Sequence, residues 1–118
     1  MAGRMLNESQ VDDGKWSPAH RAVEGGDYER LTVLLDAGVD PNEMSLGFTL
    51  LTHAIDVEGD GHWQTNHPLN TAATAIVLAY GADPELPAED GETPMRMAER
   101  YGHELAQRLL RRFMDYKE

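Results

Sequence analysis

The chain has 118 residues, a formal net charge of −11 and no cysteine, which is one domain's worth of sequence and excludes disulfide and thiolate chemistry. The acid is unevenly placed: residues 1–16 carry −1, 17–43 carry −4, 44–89 carry −6 and 90–118 carry zero, with no lysine or arginine from Met44 through Glu89. Such a surface repels phosphate backbones and anionic headgroups and steers basic partners, so neither nucleic acid nor a membrane is expected as a ligand. No apolar run approaches the roughly 18 residues that span a bilayer, and Met1 to Trp16 lacks the apolar core of a signal peptide. A cytoplasmic protein is the expectation.

Residues 1–16 read as an N-terminal extension. At Ser17 an N-cap hydroxyl is followed by Pro18 at the first helical position, where a missing N–H costs nothing, and Ala19-His20-Arg21-Ala22 continue the helix. Leu31, Leu34 and Leu35 stand at helical spacing before Gly38, a residue able to take the positive φ that closes a helix. Burial is expected for Leu34. Asp40-Pro41-Asn42 through Gly47 is then dense in turn formers.

The same order returns twice. Thr49-Leu50-Leu51-Thr52-His53-Ala54 and Thr93-Pro94-Met95-Arg96-Met97-Ala98 match the register of Ser17 to Ala22, and Gly81-Ala82-Asp83-Pro84-Glu85 nearly copies Gly38-Val39-Asp40-Pro41-Asn42. Repeated helix termini imply repeated units. The hydroxyls at 17, 49 and 93 are 32 and 44 residues apart, and the surplus of 11 falls between Ala54 and Gly81. An insertion over 57–68, read as a polar loop, accounts for it, giving units of about 17–46, 47–89 and 90–118 within a repeat domain of 17–118. The last segment, Glu104 to Tyr116, sets Arg108, Arg111, Arg112 and Lys117 around Leu105, Leu109, Leu110 and Phe113, as expected of a terminal cap with a polar outer face.

With its unit near 33 residues and the signature T-P-L-H-x-A, this pattern resembles the ankyrin repeat. The first unit carries Ser17-Pro18-Ala19-His20-Arg21-Ala22, Gly26, Leu34-Leu35 and Asp40-Pro41-Asn42; the second has Thr52 and the third Arg96 at the histidine position. The resemblance covers residues 17 to about 112. It implies an all-α helix-turn-helix repeat solenoid with short hairpin fingers, binding another protein through its concave face and finger tips without catalysis of its own.

Carried over position by position, the resemblance places Arg21, His53 and Met97 in one exposed row of the first helices and Glu24, Asp56 and Arg100 in a second. The tips are Glu43 to Phe48 and Glu85 to Glu92. Partner-binding candidates there are Glu43, Met44, Leu46 and Phe48 in the first, where three large apolar side chains crowd a turn, and Leu86 and Glu89 in the second. Trp63, a tryptophan within the polar insertion, joins them, with packing back on the helices as its alternative. The partner expected is another protein, one with a basic surface where the acidic middle guides it, and the chain itself a monomer or weak dimer. The acidic middle also suits an alternative, an immunity or inhibitor-type protein that masks a basic enzyme such as a nuclease toxin.

Catalytic, cofactor and metal signatures do not complete. Asp56-Val57-Glu58-Gly59-Asp60-Gly61 begins like a calcium loop, but His67 stands where the bidentate glutamate belongs. His53, His62 and His67 have spacings of 9 and 5 that fit no zinc pattern. Gly14-Lys15 lacks the rest of a phosphate loop, and His103-Glu104 lacks the second histidine of a metalloprotease helix.

Overall fold

A computed structural model describes residues 16–65 and 69–117, and the side chains of 63–65, 116 and 117 are not among those described. Except for Trp16, the N-terminal extension therefore lies outside the described residues, as do His67 and the side chain of Trp63.

Three helix pairs follow one another: α1 (Pro18–Gly25) with α2 (Tyr28–Asp36), α3 (Leu50–Thr65) with α4 (Ala72–Ala79), and α5 (Pro94–Tyr101) with α6 (Glu104–Lys117). Helices α1, α3 and α5 pack side by side as an inner row, and α2, α4 and α6 form an outer one. The local chemistry explains the boundaries. Ser17 Oγ accepts from the His20 amide and Thr93 Oγ1 from the Arg96 amide, and Thr49 Oγ1 accepts from the Thr52 amide at 3.0 Å; each satisfies a donor that a helix start leaves orphaned. Gly26 and Gly102, at φ of 69° and 67°, close α1 and α5 in the left-handed conformation.

The core is thin and continuous. Leu31, Leu35, Leu50, Leu51, Ile55, Val77, Leu78, Met97 and Leu110 are buried, and Ala22, Ala54 and Ala98 hold the places where neighbouring helices come close. Leu34 is only half-buried; the inward face of α2 is made by Leu31 and Leu35, four residues apart. In α6 the inward stripe is Ala106 and Leu110 with Leu109, Phe113 and Met114 at its edge. Leu105, expected on that stripe, is 45% exposed.

The first finger is a two-stranded hairpin, β1 (Met44–Ser45) against β2 (Phe48–Thr49), antiparallel with Met44 opposite Thr49 and Ser45 opposite Phe48. Its two-residue turn has positive φ at both positions, 52° at Leu46 and 86° at Gly47, the geometry whose twist matches paired strands. Residues 83–91 form no paired strand. Pro84 and Pro87 remove ladder donors there, and the segment is instead tied down by Asp83 N–H donating to Asn42 Oδ1 at 2.7 Å and Glu89 N–H donating to Gly47 O at 2.9 Å.

The polar stretch expected as a loop is helical as far as Thr65, adding turns to α3. Tertiary contacts outweigh the low helix propensity of its glycines. Gly59 is buried against Tyr101 of α5. Glu58, with its side chain only 4% exposed, accepts from the Thr74 amide and hydroxyl at 3.1 and 2.8 Å and pairs with His103 Nε2 at 2.8 Å. Thr71 makes no side-chain cap on α4, so the Glu58 carboxylate acts as that cap from the preceding helix.

Candidate protein-interaction groove

Two fingers and two inner helices enclose a groove of about 330 Å³ lined by Leu46, Gly47 and Phe48 from the hairpin, Ala88, Glu89, Asp90 and Glu92 from the second finger, Asp56 from α3, and Met97 and Arg100 from α5. Its floor is apolar and its rim carboxylate-rich. Arg100 donates Nε and a terminal nitrogen to the two oxygens of Glu92, both at 2.9 Å, and its guanidinium lies 4.9 Å from the centre of the Tyr101 ring. The Glu92 bond holds the Arg100 pKa above its ordinary value. The Tyr101 hydroxyl donates to Asp56 Oδ1 at 2.6 Å, and burial, reinforced by that carboxylate, pushes the phenol up to about 12.

Six of the sequence candidates, Leu46, Phe48, Asp56, Glu89, Met97 and Arg100, line this one groove. Met44 and Leu46 are 48% and 55% exposed at the hairpin tip, and Leu86 is half-buried on the second finger. The exposed row expected from Arg21, His53 and Met97 is corrected: Arg21 is half-buried, whereas His53 and Met97 are buried at 1% and 2% exposure. Met97 still walls the groove. His53 is held inside by aromatic stacking, its ring 4.1 Å from that of Trp16 and 5.2 Å from that of His20. Glu24 and Glu43 are committed to internal bonds. Glu24 Oε1 accepts from His53 Nε2 at 2.8 Å, and Glu43 Oε2 accepts from Ser17 Oγ at 2.7 Å.

The aromatic cluster around Trp16 is absent from the sequence reading. Trp16 stacks on both imidazoles and tilts against Phe48 at 6.2 Å, which ties the start of the first unit to the first finger. Its one sequence signal was a large aromatic placed directly before the Ser17 cap. His20 Nε2 donates to Phe48 O at 2.9 Å while Nδ1 lies 2.7 Å from Ser17 Oγ. Burial lowers the pKa of both histidines, partly offset by the Phe48 carbonyl at His20 and by Glu24 at His53.

Ser17, His20 and Glu43 share residue types with a catalytic triad but not its geometry. The Phe48 carbonyl fixes the proton on His20 Nε2 and turns Nδ1 toward Ser17, but the carboxylate meets the serine instead of the imidazole: the Ser17 hydroxyl donates to Glu43 while its oxygen caps α1, and the three act as a cap and a strut. The six residues of the would-be calcium loop lie within α3. Among the described residues no group of three or more histidines and carboxylates is placed to hold a metal, and no helix is long and apolar enough to cross a membrane.

The fold is similar to that of an ankyrin repeat domain from Acinetobacter baumannii AYE, with a TM-score of 0.69 and 30% identity, over 85% of this chain and 48% of that one. The chain is an ankyrin-repeat protein. A human ASB11 ankyrin repeat domain is also similar, with a TM-score of 0.65 and 25% identity, over 83% of this chain and 40% of that one. The chain thus spans less than half the length of either structure. No family model and no curated protein matches the sequence. Ankyrin repeat domains are generally protein–protein interaction modules, and the groove lies where the fingers meet the inner helices of this one.

Proposed function

We propose that this ankyrin-repeat chain is a protein-interaction module that seats its partner in the groove between the fingers, with Met44, Leu46 and Phe48 as apolar anchors and the acidic rim as guide. The observation that carries this reading is Leu46. A leucine at a φ of 52° costs about 1–2 kcal/mol that asparagine or glycine would largely avoid. Its side chain recovers little of that cost within the fold, being 55% exposed at the mouth of the groove. An apolar side chain kept at a strained, exposed tip is accounted for by contact with a partner.

The test is a photo-crosslinking residue at position 46, compared in the native host with one at Val33, which is 59% exposed on α2. A protein adduct from position 46 and none from position 33 is expected; adducts from position 33 alone would overturn the reading. The absence of lysine and arginine from Met44 through Glu89 supports a second reading, in which the partner is a basic enzyme such as a nuclease. Loss of the captured partner's activity on binding would favour it.

A further inference from the structure

We infer that the groove is built for a lysine or arginine side chain projecting from an extended segment of the partner. This rests on the interaction reading above and deepens it. Arg100 is the one cation among the groove residues, and its guanidinium is already engaged bidentately by Glu92 and laid over Tyr101. The charges of Asp56, Glu89 and Asp90 are left without a neutralising partner in the groove. Asp56 uses one oxygen for the Tyr101 hydroxyl, and Asp90 uses one for the Glu92 amide. The walls between these carboxylates are Leu46, Phe48, Ala88 and the buried Met97.

An occupant must satisfy both chemistries at once. An uncharged apolar side chain would take water from the carboxylates and give them nothing in return, and an acidic one would be repelled. A small hydrated cation would leave the apolar walls uncovered. A long aliphatic stem ending in a positive head covers Leu46 and Phe48 with the stem and places the head among Asp56, Glu89 and Asp90. Lysine and arginine are the side chains with that form.

The experiment selects binders to the immobilised full chain from a random dodecapeptide library, then measures synthetic copies with each basic residue replaced by norleucine. Seating in the groove is read from amide and methyl shifts of Phe48 and Met97. The expected result is one basic position whose norleucine replacement weakens binding by about fivefold, with D56N and E89Q each weakening the parent peptide by a similar factor. Either substitution should shrink the difference between the basic and norleucine peptides. E89Q, at an exposed position, guards against a folding effect of D56N. Peptides that shift the groove residues without a basic position would overturn the inference and leave the interaction reading standing. Peptides that bind only on the outer helices would overturn both. Salt-sensitive self-association of the chain alone, abolished by E89Q, would assign the groove to the arginines of a second copy and overturn the partner as stated.

Discussion

Gly59 lies against Tyr101 so closely that a β-carbon at position 59 would come within 2.6 Å of Tyr101 Cδ1 and 2.8 Å of its Cβ. This contact joins the extended part of α3 to α5 and fixes the phenol that holds Asp56 at the groove. Gly61, two residues on in the same helix, would place its β-carbon in open space. Helix propensity favours alanine over glycine by about 1 kcal/mol at either position, whereas overpacking costs about 1–3 kcal/mol. Urea unfolding should therefore find G61A as stable as the parent or more so, and G59A less stable. Equal stabilities for the two variants would contradict the packing.

Leu46 offers the opposite test, in which a change improves the fold and harms the function. Relieving the positive φ with L46N or L46G should leave stability unchanged or raise it by up to about 1 kcal/mol, since glycine loses part of the gain to a freer unfolded chain. Partner dissociation should speed up at the same time. A clear loss of stability in both variants would make the leucine a structural residue and remove the support it gives to the groove.

Acid should loosen the first unit. His20 and His53 have folded-state pKa values below the ordinary imidazole value, mainly through burial, so below about pH 6.5 the unfolded chain binds more protons than the folded one. Stability is complete above that pH and falls as pH drops toward the folded-state values. The Phe48 carbonyl and Glu43 at His20, and Glu24 and Asp56 at His53, attract a proton and limit the loss without reversing it, while the His53 ring adds to the lowering at His20. Urea midpoints should fall between pH 7.5 and 5, and a flat profile would show that the rings accept protons in place.

Glu58 is expected to be structural although it sits in the stretch first read as a loop. Glutamine there keeps one acceptor for Thr74 or His103 but turns an amide donor toward another donor, costing about 1–3 kcal/mol. Deleting 58–67 removes this cap and the Gly59 contact together, and the shortened chain should lose its cooperative melting transition. A deletion variant that melts like the parent would restore the loop reading.

The repeat architecture was legible because it is written in local chemistry. Hydroxyl caps at 17, 49 and 93, prolines at 18 and 94 and the spaced leucines before Gly38 set helix starts and stops without help from distant parts of the chain. The hairpin tip was legible as an apolar turn, and six groove residues could be named from the repeat register. Depth within the stack was not. Position in a repeat gives the face of a helix, but His53 is buried under the Trp16 ring, 4.1 Å away, a contact that has no period in the sequence. The fate of 57–65 was decided the same way. Its glycines and aspartate are poor helix formers locally, and only the Tyr101 ring, the open start of α4 and His103, which are 16 to 45 residues away in sequence, make a helix the lower-energy choice.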